Sequence, residues 1–139
     1  MLKLSARNQI EGTIDSIEKG AVNGIVTIKV GNEVIKADIT NDAIEQLELE
    51  PGLKAIAIIK ASSVMFATEK LANISARNQL SGKIVKVNKG AVNGHVVIEN
   101  PEGFRIKGSI TNDAIEQLGL AEGSDATAII KSTEVMVGI

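Results

Sequence analysis

The chain has no cysteine, no tryptophan and no tyrosine, and only two phenylalanines and one histidine in 139 residues. Each scarcity removes a class of function. Without cysteine there is no disulfide, no thiolate metal site and no cysteine nucleophile. With so few aromatic rings there is almost nothing for nucleic-acid bases to stack on. The net charge is −2, and no basic run interrupts it. Residues 1–70 hold 8 basic and 10 acidic side chains, and residues 71–139 hold 7 of each. The positive footprint of a nucleic-acid binder is therefore missing. No stretch approaches the roughly 20 apolar residues of a membrane helix. The start, Met1-Leu2-Lys3-Leu4-Ser5, lacks the apolar core of a signal peptide. These absences lead to the expectation of a cytoplasmic protein with neither nucleic acid nor membrane as partner. Hydrophobic content of 44% fits a folded globular chain.

What is present is said twice. Ser5-Ala6-Arg7-Asn8-Gln9 recurs as Ser75-Ala76-Arg77-Asn78-Gln79, and Lys19-Gly20-Ala21-Val22-Asn23-Gly24 as Lys89-Gly90-Ala91-Val92-Asn93-Gly94. Ile39 to Leu47 recurs as Ile110 to Leu118, and Ala57-Ile58-Ile59-Lys60 as Ala128-Ile129-Ile130-Lys131. The expected organisation is two modules, residues 1–70 and 71–139. Each module is barely large enough to be stable alone, and the short linker Thr68 to Asn73 leads us to expect that they pack together. A packing repeat would preserve apolar positions and let polar ones drift. Here the longest shared strings are polar.

Within each module the apolar residues are mostly valine and isoleucine, which favour strands. Gln9 to Glu18 reads as a strand with a bulge near Asp15-Ser16. Ile25 to Val30 and Glu33 to Ile39 alternate, with Gly31-Asn32 as a hairpin signal between them. Thr40 is a helix N-cap, followed by Asp42 in the first turn and a short stripe of Ala43, Ile44 and Leu47. Pro51-Gly52 is expected to end that element. Lys54 to Lys60 reads as a buried strand and Val64 to Ala67 as a short fifth one. The extra residue of the second module falls in Asn100-Pro101-Glu102-Gly103, a hairpin where insertion costs little. The fold class expected is all-β with one short helix per module: two tandem five-stranded barrels of the oligonucleotide/oligosaccharide-binding type.

Catalytic arrangements are not expected. The only histidine, His95, has Ile25 as its counterpart, so a catalytic or metal role would break the repeat; it reads as a partly exposed strand residue. No cluster of metal-ligating side chains recurs. Asp42 and Glu45, with their copies Asp113 and Glu116, read as a solvated helix face. No glycine-rich phosphate loop precedes a Lys-Ser/Thr pair. Three duplicated segments rich in donors remain. The first is Ser5, Ala6, Arg7 and Asn8, with Ser75, Ala76, Arg77 and Asn78. The second is Gly20, Ala21, Val22 and Asn23, with Gly90, Ala91, Val92 and Asn93, whose small residues leave amides approachable as in an anion nest. The third is Lys60, Ala61 and Ser62, with Lys131, Ser132 and Thr133. Each has a structural alternative. Ser5 and Asn8 can satisfy a turn, Gly20 and Asn23 can serve a left-handed turn, and Lys60 can simply end a strand. Donors without acidic partners suit a tetrahedral dianion that carries no proton, whereas hydrogen phosphate would want an acceptor.

Taken in order, these segments resemble a known family. Ser-Ala-Arg-Asn-Gln, Lys-Gly-Ala-Val-Asn, Ile-Thr-x-x-Ala, Leu-x-x-Gly and Ile-Ile-Lys-Ala-Ser together resemble the molybdate-binding Mop domain, a barrel of the TOBE type. Two in tandem, from Leu4 to Phe66 and from Ile74 to Val137, resemble the di-Mop molbindins. The resemblance implies a ring of six modules, hence a homotrimer, with molybdate or tungstate held between modules. It implies one class of site from Ser5, Ala6, Arg7, Lys60 and Ser62 with Thr40 of a neighbour. The duplicate would use Ser75, Ala76, Arg77, Lys131 and Thr133 with Thr111. A second class would lie on the threefold axis, lined by Ala21, Val22 and Asn23 or by Ala91, Val92 and Asn93. Three departures stand out. Gly24 and Gly94 replace a more frequent alanine and are expected to loosen their turn. Lys131-Ser132-Thr133 alters Lys-Ala-Ser. Glu134 would weaken an anion site unless it points to solvent, as Ser63 is expected to.

The function expected is non-enzymatic binding and intracellular storage of molybdate or tungstate. No Walker motif marks a transporter ATPase, and no helix-turn-helix precedes Ser5. The alternative is an oligomeric scaffold or nucleic-acid-binding barrel without oxyanion storage.

Overall fold

A computed structural model describes residues 2–139; Met1, part of the start read above, lies outside the described residues. The first half runs β1 (Asn8–Lys19), β2 (Asn23–Val30), β3 (Glu33–Thr40), α1 (Asn41–Gln46), β4 (Lys54–Ile59) and β5 (Met65–Ala67). The second repeats it as β6 (Asn78–Lys89), β7 (Asn93–Glu99), β8 (Arg105–Thr111), α2 (Asn112–Gln117), β9 (Asp125–Ile130) and β10 (Val135–Gly138). The expected bulge falls where β1 shifts register against β2 between Ile14 and Ser16, and its copy lies between Ile84 and Lys86. Both helices are capped as the sequence suggests: the Ala43 amide donates to Thr40 Oγ1, and the Ala114 amide to Thr111 Oγ1, each at 3.1 Å.

Pro51-Gly52 does not end α1. The helix closes at Leu47, and Glu48 then turns the chain at φ 53° while the Leu49 amide bonds the Ile44 carbonyl at 3.0 Å. Pro51-Gly52 serves β1 instead. The Gly52 amide donates to the Ile14 carbonyl (2.8 Å) and the Ile14 amide to the Leu53 carbonyl (2.9 Å), which satisfies the backbone at the bulge.

The two sheets are not each built from one half. Their strand orders are β10-β4-β1-β2-β3 and β5-β9-β6-β7-β8. Each five-stranded sheet thus takes four strands from one half and its last edge strand from the other. β5 pairs with β9 through Phe66 opposite Ala128, and β10 pairs with β4 through Val137 opposite Ala57. One apolar cluster therefore runs through the whole chain, from Ile10, Ile14 and Ile59 of the first half to Leu80, Ile84 and Ile130 of the second.

The exchange fixes where the chain crosses between barrels. Passage from β4 to β5 goes through Lys60 and a single 3-10 turn, Ala61–Ser63. Passage from β9 to β10 goes through Lys131 and the turn Ser132–Glu134. Ser63 Oγ donates to Glu134 Oε2 at 3.1 Å, so the two crossovers touch. The third donor-rich segment of each half is its crossover.

Candidate functional site

The segment before each barrel is a loop held by its own strand. The Leu2 amide donates to Gln9 Oε1 (3.0 Å), and Gln9 Nε2 returns a bond to the Leu2 carbonyl (3.2 Å). Gln79 clamps Leu71 in the same way, with both bonds at 2.7 Å. Ser5, Ala6 and Arg7, and their copies Ser75, Ala76 and Arg77, lie inside these clamps. The repeated glutamine thus has a structural task, and so does the asparagine before it. Asn8 is 3% exposed and donates from Nδ2 to the Lys107 carbonyl (2.9 Å), while the Lys107 amide donates to Asn8 Oδ1 (2.8 Å). Asn78, 1% exposed, makes the same pair with Lys36, both at 2.8 Å. These amides sew each half to the outer strand of the other, which uses up both ends of each group.

The remaining donors converge. One cavity of about 400 Å³ is lined by Ser5, Ala6, Arg7, Lys60, Ala61 and Ser62, with Leu4 and Met136 as apolar wall. Its counterpart, about 380 Å³, is lined by Ser75, Ala76, Arg77, Lys131, Ser132 and Thr133, with Ile74 and Met65. The methionine of each wall comes from a short edge strand: Met136 from β10 and Met65 from β5. No carboxylate lines either cavity. Two cationic side chains face hydroxyls and small residues, a set able to neutralise an anion and donate to it. Glu134 lines neither cavity; it accepts from Ser63.

Thr40 and Thr111 line neither cavity within one chain. They stand beside the second donor segment, since Asn23 pairs with Thr40 and Asn93 with Thr111. Each hydroxyl oxygen accepts its capping bond and keeps its proton to donate. The Gly20–Asn23 turn is closed by the Gly20 amide on the Asn23 carbonyl (2.7 Å), and the Gly90 turn likewise (2.9 Å). Neither Gly20 nor Asn23 has positive φ, so this is not the left-handed turn considered above. Asn41 Nδ2 holds the Gly20 carbonyl at 3.0 Å, and Asn112 Nδ2 holds Gly90 at 2.8 Å. The tips carry Val22 and Val92, each 72% exposed. A Cβ at Gly24 would meet Ile44 Cδ1 at 2.7 Å, and one at Gly94 would meet Ile115 Cδ1 at 2.7 Å, so the helix fills the space.

Two residues of the first cavity were not foreseen. His95 and Ser109 also line it, reaching in from the paired strands β7 and β8 of the other half. The signal was present as a double break in the repeat: the counterparts are Ile25 and Asp38, which pair with each other in the first half. Lys19 and Lys89 lie elsewhere, half-exposed in ion pairs with Glu45 (3.6 Å) and Glu116 (3.0 Å).

Two barrels that exchange edge strands, each with a carboxylate-free cavity lined by cationic and hydroxyl side chains at its crossover, define a class of small tandem β-barrel protein. The chain belongs to the TOBE domain family, whose pattern matches it twice, over residues 4–66 and 74–137. It is 43% identical over 140 residues to the molybdenum transport protein ModE of Herbaspirillum seropedicae, covering 99% of this chain and 52% of that protein. It is 52% identical over 65 residues to molybdenum-pterin-binding protein 3 of Clostridium pasteurianum, covering 47% of this chain and 96% of that one. The chain spans about half the length of the ModE relatives it matches. Its fold superposes with TM-score 0.95 on a crystal structure of the cytoplasmic molybdate-binding protein ModG with molybdate bound. The two are 35% identical, and the match covers 99% of each chain. That tandem architecture is the one the sequence resemblance implied.

Proposed function

We propose that the chain binds molybdate or tungstate without catalysis and acts as a cytoplasmic store or buffer for the oxyanion. The observation that carries this reading is the pair of cavities that gather Ser5, Arg7, Lys60 and Ser62, and Ser75, Arg77, Lys131 and Thr133, with no carboxylate in either wall. An ion with no proton needs donors only, and a wall with a carboxylate acceptor would instead favour a protonated anion. The names of the relatives and the ligand in the ModG crystal point the same way. Both cavities are open in one chain, and Thr40, Thr111, Val22 and Val92 remain exposed or outside them. A homotrimer, six modules in a ring, would close the cavities with a neighbour's threonine and would place the valine turns around the axis as the second class of site.

Native mass spectrometry after incubation with molybdate reads subunit number and bound anions together. The expected result is a trimer carrying several molybdate ions. A monomer without bound anion would overturn the reading. In calorimetric competition tungstate should displace molybdate and phosphate should compete poorly; phosphate binding as tightly as molybdate would refute the donor-only argument.

A further inference from the structure

Where the repeat breaks beside a cavity, the two candidate sites become chemically unequal. His95 lies on the outward face of β7, exposed to solvent, and together with Ser109 it lines the cavity of Ser5, Arg7, Lys60 and Ser62. The positions in the same register of the other half are Ile25 and Asp38, and neither lines the cavity of Ser75, Arg77, Lys131 and Thr133. One cavity therefore has an imidazole and a hydroxyl that the other lacks.

The charge around His95 is of one sign. Its neighbour on β6 is Asn88, with Lys86 one step along the same face; on β8 it is Ser109, with Lys107 one step along. Arg7 and Lys60 face it from the first half, and Met136 of β10 adds no charge. Glu99, further along β7, is bonded by Arg105 at 2.9 Å. Glu134 accepts from Ser63 and does not line the cavity. A dianion in the cavity would favour the imidazolium form of a ring that lines the same wall, because opposite charges attract at short range. Anion binding and proton uptake are then linked, and each strengthens the other.

We propose that His95, with Ser109, is a specificity-determining residue that makes the Ser5–Lys60 cavity the tighter of the two oxyanion sites, and increasingly so as pH falls. This inference rests on the oxyanion reading of both cavities. It gives one chain two affinities for one ligand, a tight site that responds to pH and a weaker site that does not.

His95 is the only histidine, so its ring-proton resonance titrates alone in the spectrum of the intact protein. Added molybdate should move the midpoint of that titration to higher pH. The movement should need about tenfold more molybdate in Lys60→Ala and persist unchanged in Lys131→Ala. In calorimetry the tighter event should strengthen about two- to fivefold from about pH 8 to about pH 6, the scale of an exposed charge pair. His95→Gln should abolish that dependence and leave the weaker event unchanged. Molybdate binding with an unmoved His95 titration would overturn this inference and leave the proposed function intact. No molybdate binding by calorimetry would overturn both. The wild-type titration decides the matter even if a variant fails to fold.

Discussion

After α1 the chain turns through Glu48 at φ 53°, and after α2 it turns through Gly119 at φ 63°. The hydrogen bonds that follow are the same: the Leu49 amide to Ile44 and the Leu120 amide to Ile115, each at 3.0 Å. Glycine adopts this conformation freely, whereas a glutamate pays a steric cost there. The first half tolerates it because buried Leu49, like Leu120, must reach the core directly after the helix. The same contrast of residues on a shared plan occurs at the exchanged edges. Phe66 of β5 lies over Gly108 of β8, where a Cβ would meet the phenyl ring. The corresponding residues are Val137 of β10 and Ala37 of β3. Ring against glycine in one barrel, and valine and alanine in the other, keep each layer filled by a different division of volume. Equal backbones thus rest on unequal side chains, and the inequality is compensated pair by pair.

Four sets of substitutions would break or sharpen that comparison. The largest effect is expected at the seam. Asn8→Ala should cost about 2 kcal/mol in denaturant unfolding at fixed protein concentration, since it leaves the part-buried Lys107 amide and carbonyl without their side-chain partner. Asn78→Ala should cost about as much through Lys36; a loss below about 0.5 kcal/mol at both positions would mean the amides do not hold the halves together. Next, Gly108→Ala should destabilise by about 2 kcal/mol through its clash with Phe66 and Val64. Adding Phe66→Val should recover part of the loss, and a double-mutant cycle measures that coupling. An additive cycle would show that the two are not a size-matched pair.

Lys60→Ala should then weaken molybdate binding about tenfold, or about 1.4 kcal/mol, as read by calorimetry, with Lys131→Ala acting on the other cavity. Lys19→Ala should change little, because that side chain is paired with Glu45 at the surface. Equal effects of Lys19 and Lys60 would remove the crossover cavities from the site. The smallest effect is a gain: Glu48→Gly should stabilise by about 0.5–1 kcal/mol by relieving the left-handed turn. Gly119→Glu should lose a comparable amount in thermal unfolding, and no response at either position would refute the strain.

Much was legible along the chain because it depended on near neighbours. Alternating valine and isoleucine gave the long strands, the phase slip at Asp15-Ser16 gave the bulge, and Thr40 and Thr111 gave the caps. The duplicated polar strings pointed to the segments that line the two cavities. Within those strings the roles were not separable. Asn8 and Gln9 sit in the same repeat as Ser5 and Arg7, yet Asn8 turns inward to the other half and Gln9 holds its own loop at the surface. A side chain's neighbour 99 residues away leaves no trace in local spacing.

Sequence by itself determined that there are two copies of one plan, which elements each contains, and which side chains offer donors without acids. Tertiary structure decided how the copies are joined. β5 and β10 are short edge strands of similar pattern, so either would satisfy the backbone of β4 or β9; the ladder alone does not choose between them. The choice falls to volume and to reach: Phe66 fits over the glycine at 108, and each strand follows its crossover turn directly into the other barrel. That exchange puts Lys60 and Lys131 at the junctions, brings Met136 and Met65 into the cavity walls, and sets His95 of one half beside Arg7 of the other.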